Sequence, residues 1–479
     1  MDQAHLPTFF TSTNNHTPTK FIVILLCSWI VYSIRGVLRR RYGSIQVTYP
    51  SIPGVLDNGE NCQQLVERSV GSLKDGFRAS WWLPNGHAQT IYSALANFSA
   101  DDHVSYERKL LQLPDGGTIG IDLFPPLSIS LSSSAPVVMV NHGLTGGSHE
   151  SYVRNMVLWL TKPWDQGGLG GRAAVVNFRG CASTPLTSPH LYSTGSTIDL
   201  HTATVYMTTL FPEAPLLGVG FSTGAAVMTR YLGEQGHRCR LGGAVVLCCP
   251  LELRRMTSRL DSQHFFPRLY SLSMAHKILH SLTPHLLPTS PLLSPSSHLH
   301  VHVPEIFSLT ASLRRKYTLR ASRVLELVAA KVGGSGDGFP FVGLEDFLEW
   351  ACPGRWLGRI KRPTLGISAL DDPIVSGDFL PYQSVQESTH FVLATVPQGG
   401  HLGWFDGPYT GPGEVCHRRW HVKPTLEFLR AIVADLPSSA QAHARTRKLR
   451  KVGDWCFAGE GINTQGGYGK AEVGWKVVT

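Results

Sequence analysis

The 479-residue sequence predicts an α/β fold, with a mostly parallel central sheet, helices on both of its faces and a helical insertion late in the chain. Three observations carry this. Apolar runs of strand length alternate with helix-like stretches, a pattern that builds parallel sheets buried on both sides. A G-x-S-x-G pentapeptide, Gly220-Phe221-Ser222-Thr223-Gly224, joins one such run to a helical one. An aspartate and then a histidine follow later strands in a fixed order. The elements follow in turn. Glu107 to Leu113 and Thr118 to Leu123 form a hairpin around the turn Pro114-Asp115-Gly116-Gly117. Further strands are expected at 136–141, 173–178, 216–220, 243–249, 364–369 and 391–396. Leu127 to Ser134 is serine-rich and reads as a loop.

The pentapeptide has apolar Leu216-Leu217-Gly218-Val219 before it and Ala225-Ala226-Val227-Met228 after it. In such a strand–turn–helix elbow the serine is held out above the sheet, at a helix N-terminus that favours developing negative charge. The chemistry then requires an acid and a histidine further along. The strand-like run Pro363 to Leu370 ends in Asp371-Asp372-Pro373-Ile374-Val375. The run His390 to Val396 is followed by Gln398-Gly399-Gly400-His401-Leu402-Gly403. The order Ser222, Asp, His401 is that of α/β-hydrolases. Asp372, directly before the Pro-Ile-Val turn, is the expected acid, and Asp371 is the alternative. Val137 to Asn141 reads as a strand leading into His142-Gly143-Leu144-Thr145-Gly146-Gly147. The backbone N–H groups of Leu144 and Thr223 are the expected oxyanion donors. His142 is expected to pack or hydrogen-bond within that loop rather than to act in catalysis.

These stretches resemble the membrane-associated α/β-hydrolase-domain family, which includes bacterial YheT-like esterases, animal membrane-anchored lipases, and fungal ethanol acyltransferases and monoacylglycerol lipases. Two further blocks carry the resemblance. Leu83-Pro84-Asn85-Gly86-His87-Ala88-Gln89-Thr90 is similar to the family's N-G-H-x-Q-T signature. Asn177-Phe178-Arg179-Gly180-Cys181-Ala182-Ser183-Thr184-Pro185 is similar to its N-x-R-G-C-x-x-S-P block. The likeness spans roughly residues 80 to 430 and is weakest between about 253 and 340. It implies medium-chain acyl esters and monoacylglycerols as substrates, with alcohol acyltransfer by the same residues as the alternative and a non-catalytic membrane scaffold as a remote one. An epoxide-hydrolase-like activity would need Asp in place of Ser222.

Composition divides the chain further. It is 42% hydrophobic and 16% charged, enough to bury a large core, and its net charge is +9. The excess is partly local, at Arg35, Arg39, Arg40 and Arg41 and again at Arg445, Arg447, Lys448, Arg450 and Lys451. No nucleic-acid-binding pattern accompanies these clusters, and membrane proximity is the simpler reading. Residues 1–20 read as a disordered tail and 21–38 as a membrane anchor, built on the uncharged run Phe21 to Ile34 with arginines on its C-terminal side. That charge asymmetry predicts a catalytic domain in the cytosol, with the sequon at Asn97 unmodified, whereas the resemblance to anchored family members implies the opposite orientation, with a lumenal domain. Nine scattered cysteines without a C-x-x-C pair fit a reducing compartment.

Beyond the anchor, 39–100 is a lead-in segment, 101–250 and 362–432 are the two parts of the hydrolase core, 251–361 is a cap insertion, and 433–479 is a basic, Gly-rich tail. In the cap, 251–279 and Leu319 to Val332 look helical, while His280 to Glu305, rich in Pro, Ser and His, is no single regular element. His285, His298, His300 and His302 fit no zinc spacing, so no metal and no cofactor is expected. The expected partners are a lipid or small ester and the membrane; oligomeric state is unreadable.

Overall fold

A computed structural model describes residues 44–99, 101–286, 289–297, 300–312, 319–332, 340–406, 419–435, 449–462 and 471–478. The segments 1–20 and 21–38, together with His298, Arg445, Arg447 and Lys448, lie outside the described residues. Among the described residues no helix is long and apolar enough to cross a membrane.

The strands are β1 Gln46–Thr48, β2 Glu107–Gln112, β3 Thr118–Phe124, β4 Val137–Asn141, β5 Arg172–Asn177, β6 Leu216–Phe221, β7 Leu241–Leu247, β8 Thr364–Ala369, β9 Phe391–Val396, β10 Leu449–Val452, β11 Trp455–Ile462 and β12 Ala471–Val478. They form one sheet in the order β1-β9-β8-β7-β6-β4-β5-β3-β2-β12-β11-β10. The six strands β5, β4, β6, β7, β8 and β9 pair in parallel, and the outer strands pair antiparallel. The order reverses at β4, which pairs with β5 on one side and β6 on the other. Such a reversal opens a crevice at the C-terminal ends of the strands, where ligands bind in open α/β sheets.

Alternation along each strand sorts side chains to two cores. In β4, Val137 and Met139 join one apolar cluster, while Val138 and Val140 join the other. The helices that cover the sheet are α1 Cys62–Ser69, α3 Ser151–Thr161 and α10 Val422–Asp435 on one face, and α4 Ile198–Leu210 and α5 Thr223–Gln235 on the other. α2, Gly86–Leu95, lies outside both clusters.

Between β7 and β8 the chain leaves the sheet. It forms α6 Leu253–Leu260, α7 Phe265–Leu282, three short 3₁₀ turns, α8 Val303–Ser312, an α–π–α run from Ala321 to Val332, and α9 Leu344–Ala351. This insertion has its own small cores, one around Ile278, Leu279 and Leu327 and another around Leu253, Phe347 and Leu348. Arg230 of α5 fastens it to the sheet. Its guanidinium pairs with Glu234 at 2.7 Å, donates to the Trp350 carbonyl and stacks on the Trp350 ring at 4.3 Å.

The structure departs from the sequence reading at both ends. The lead-in supplies an edge strand, β1, against β9. The segment read as a basic, Gly-rich tail supplies three strands, because β12 pairs with β2 and brings β11 and β10 with it. The signal was a period-2 run, Val473-Gly474-Trp475-Lys476-Val477, in which Val473 and Trp475 are buried on the core and Trp475 meets Tyr206 edge-on. Its shortness and surrounding glycines hid the alternation.

A buried ion cluster ties the hairpin to the helices. Arg179 is 3% exposed and reaches Asp199 at the start of α4 through two nitrogens, at 2.8 and 3.0 Å, and Asp115 of the β2–β3 turn at 2.6 Å. Replacing one member strands the others as unpaired buried charges. Arg179→Met should therefore lose about 3–5 kcal/mol, and adding Asp199→Asn should restore part of it. Urea unfolding of the two variants checks this; equal stability of Arg179→Met and the wild type would refute it.

Candidate active site

Ser222 occupies the turn between β6 and α5 with φ 52° and ψ −117°, a conformation that side chains other than glycine rarely adopt. The turn is held because its neighbours leave no alternative. Ser222 N donates to the Leu247 carbonyl at 2.9 Å, and a Cβ on Gly224 would overlap the carbonyl oxygens of Asn141 and His142. Only glycine at 224 lets the first turn of α5 press against the end of β4.

The other two expected residues arrive from neighbouring strands. His401 Nε2 lies 2.9 Å from Ser222 Oγ, and His401 Nδ1 lies 2.8 Å from Asp372 Oδ2. Asp372 Oδ1 accepts from the N–H groups of Ile374 and Val375 at 2.8 and 2.9 Å. With one oxygen fixed by backbone donors, the carboxylate presents the other to the imidazole. A Nδ1–H donated to Asp372 leaves Nε2 free to accept the serine proton. Of the two aspartates, Asp372 is the one that contacts the His401 ring. Asp371 turns to the Gly400 N–H instead, at 2.9 Å.

The loop after β4 stands beside Ser222. The Gly143 N–H donates to Tyr152 Oη at 3.0 Å and the Thr145 N–H to Tyr192 Oη at 2.7 Å. The Leu144 N–H lies between these two tyrosine-bound amides, and Leu144, Ser222, Thr223 and His401 line one cavity. His142 is fully buried. Its Nδ1–H donates to the Gly143 carbonyl at 2.8 Å, and Nε2 accepts from Phe178 N at 3.3 Å. Burial pushes its pKa down to about 4, so a neutral ring braces the loop.

No family model matches the chain. It is 27% identical over 405 residues to the monoacylglycerol lipase of Saccharomyces cerevisiae, covering 77% of this chain and 83% of that protein. It is 25% identical over 436 residues to medium-chain fatty acid ethyl ester synthase/esterase 2 of the same yeast, covering 78% and 90%. Among solved structures, Est1E of Butyrivibrio proteoclasticus, with ferulic acid bound, aligns at a TM-score of 0.36 and 14% identity over 63% of this chain and 92% of that one. Strand order, serine elbow and relatives agree. The chain has the α/β-hydrolase fold.

Around the core of this fold, α2 and the buried Arg419 hold the histidine loop, a role the sequence reading did not assign. The N-G-H-x-Q-T block caps and forms α2, with the Asn85 side chain accepting from Ala88 N at 3.0 Å. Gly86 touches Asp371 so closely that a Cβ there would overlap the Asp371 carbonyl oxygen. Gln89 is fully buried; it donates to the carbonyls of Leu83 and Phe405 and accepts from Phe405 N at 2.9 Å. Thr90 Oγ1 accepts from His401 N at 2.8 Å. His87 reaches outward, with Nδ1 2.9 Å from Tyr270 Oη on α7. Arg419 donates to the Leu402 carbonyl at 2.8 Å, to Ser93 Oγ at 3.0 Å and to Ser151 Oγ at 2.7 Å, and stacks on Phe405 at 4.8 Å. A motif match gave α2 its importance; nothing local in the sequence pointed to Arg419.

The cavity above Ser222 measures about 370 Å³. The insertion supplies most of its apolar wall, including Leu253, Met256, Met274 and Phe347, and α2 supplies Ile91 and Leu95. Ile91, Leu95 and Leu269 line the cavity and are also exposed, so they mark its mouth. The cap histidines are used singly: His285 contacts the Gly180 carbonyl at 3.1 Å and His300 the Leu293 carbonyl at 3.0 Å. Ligand-type atoms of Cys248, Asp372 and His401 fall within 4.8 Å of one another. The Asp–His contact is already made there, and burial keeps the Cys248 thiol protonated.

Burial raises the pKa of Asp371 from the ordinary 3.8 to about 7. Between these values the folded chain keeps a proton that the unfolded chain has lost. This carboxyl's contribution to stability therefore falls as pH rises through that window, and is level above it. Asn cannot ionise. The stability of Asp371→Asn relative to wild type should rise between pH 5 and pH 8, measured by urea unfolding at both. A pH-independent difference would contradict it.

Proposed function

We propose that this hydrolase cleaves carboxylic esters of lipids through an acyl-enzyme on Ser222. The observation that carries the reading is the unbroken Ser222–His401–Asp372 hydrogen-bond chain at the floor of an apolar cavity. His401 Nε2 takes the Ser222 proton as Oγ attacks the ester carbonyl. The Leu144 and Thr223 N–H groups receive the oxyanion, and Asp372 stabilises the imidazolium. His401 then gives its proton to the departing alkoxide, releasing the alcohol. Water, deprotonated by His401, attacks the acyl-enzyme; the acid leaves and Ser222 regains its proton. The yeast relatives named for monoacylglycerols and for medium-chain ethyl esters support glycerol and medium-chain esters as the substrate class.

The second relative also favours a second reading. An alcohol can replace water in the last step, giving a new ester in place of an acid, with the same proton transfers. A scaffold role would not require the intact hydrogen-bond chain.

Ser222→Ala should abolish labelling by a fluorophosphonate probe and lower kcat/KM for a soluble ester by about 10⁴-fold or more, leaving thermal unfolding intact. Wild-type-like turnover by the variant would sink the nucleophile assignment.

We also propose that residues 21–38 hold the chain at a membrane with the catalytic domain on the cytosolic side. The uncharged run Phe21 to Ile34 and the arginines after it support this. Full-length protein should stay with membranes through carbonate extraction, whereas a chain starting near Tyr42 should be released and still cleave a soluble ester. Release of the full-length chain would refute the anchor, and glycosylation of Asn97 would refute the orientation alone.

A further inference from the structure

The apolar space does not end with the main cavity. A smaller hollow of about 60 Å³ adjoins it, and Leu144, Thr194 and Leu325 line both. Leu191, Ile278, Leu282, Val328 and Ala329 supply most of the hollow's remaining hydrocarbon wall. Its larger polar groups are already engaged by protein. Arg179 is committed to Asp199 and Asp115, Tyr192 Oη accepts from Thr145 N, Ser281 Oγ donates to the Ile278 carbonyl, and His285 contacts the Gly180 carbonyl. A guest would meet chiefly methyl and methylene groups.

The partition between the two spaces has an unusual backbone. Leu325 opens a π-helical turn, Leu325–Ala329, within the run from Ala321 to Val332. A π turn inserts a residue into a helix and turns the side chains that follow it, and such turns gather at functional sites. Here it sends Leu325, Val328 and Ala329 to the hollow. Leu325 and Leu144 both pack against the same cap core, so a residue that lines the main cavity together with Ser222 also borders the hollow.

We propose that Leu325, set against Leu144 and Thr194, determines acyl-chain length. An acyl chain fills the main cavity as far as this partition, and the hollow beyond it receives the terminal methylenes of longer chains only when the Leu325 side chain yields. The inference rests on the acyl-enzyme reading of Ser222. Taking ~30 Å³, a water's share of liquid volume, as a guide to a methylene-sized group, the hollow adds room for about two carbons.

The test is the chain-length profile of the full-length, detergent-solubilised enzyme on p-nitrophenyl esters from butyrate to palmitate, with kcat/KM values compared as ratios within each variant. Leu325→Ala should move the optimum about two carbons longer, with each newly admitted methylene worth about fourfold in kcat/KM. Ala329→Phe, which fills the hollow, should leave the optimum in place and lower kcat/KM for the chains longer than it, the ones that reach the hollow. Folding of each variant is checked by cooperative thermal unfolding, and either variant alone suffices. Profiles that superimpose on the wild type, or shift the opposite way, overturn the partition. A wild-type protein that cleaves none of these esters and takes no fluorophosphonate label at Ser222 overturns the acyl-enzyme reading instead.

Discussion

Two oxygen atoms from distant parts of the chain hold the amides of the histidine loop. Asp371 Oδ1 accepts from Gly400 N at 2.9 Å, and Thr90 Oγ1 accepts from His401 N at 2.8 Å. The imidazole's place beside Ser222 depends on them, because the loop is rich in glycine and follows the last parallel strand with no regular structure of its own. A hydrogen-bond chain of 2.8 and 2.9 Å tolerates little error in ring position. Gln89 and Arg419 complete the restraint by tying Phe405 and Leu402 to α2 and α3. Buried polar groups satisfied in this way rigidify a loop that hydrophobic packing alone would leave free to slide.

The same helix that holds the loop also meets the insertion. His87 lies one residue after the close approach of Gly86 to Asp371, and its ring contacts both Tyr270 Oη at 2.9 Å and the Phe266 ring at 4.2 Å. α5 plays a matching part: Ser222 stands at its N-terminus, and Arg230, two turns on, binds the carbonyl and ring of Trp350. Cap and chemistry are thus referenced to the same two helices. A change in the cap's own cores can reshape the cavity wall without moving the serine, the histidine or the aspartate, and this separation lets specificity vary on a fixed site.

What was legible in the sequence was local. The elbow shows because strand, turn and helix are consecutive; the order of Ser222, Asp372 and His401 shows because each follows an apolar run that pairs in parallel. The hairpin around Asp115 and Gly116 shows from its turn residues. The illegible parts are pairings across long sequence distances. Gln89 meets Phe405 and Thr90 meets His401 more than 300 residues away, and no periodicity marks either contact. The Pro-Ile-Val turn that singled out Asp372 in the sequence is the one whose Ile374 and Val375 N–H groups hold its Oδ1, while Oδ2 faces the imidazole. β12 was missed for a related reason: a strand that adds to a sheet edge is stabilised by its neighbour β2, and eight residues interrupted by Gly474 carry a weak pattern by themselves.

Under the proposed acyl-enzyme mechanism, the competition between water and an alcohol would be decided away from the three central residues. In the proposed mechanism both nucleophiles would surrender their proton to His401 Nε2 and pass through the same oxyanion, so Ser222, His401, Asp372 and the Leu144 and Thr223 amides would stabilise the two transition states alike. Differential stabilisation, the only kind that changes a ratio of rates, must come from the cavity. Its walls are mainly hydrocarbon, and its mouth is bordered by the exposed side chains of Ile91, Leu95 and Leu269. Such a space disfavours water relative to an alcohol that carries methylene groups, by roughly 0.8 kcal/mol for each one buried. Water is present at far higher concentration, which opposes this. The partition between acid and ester should therefore follow how completely the acyl chain and the cap helices exclude water from the region of His401. Residues in α6, α7 and α9 are better placed to shift it than any member of the hydrogen-bond chain.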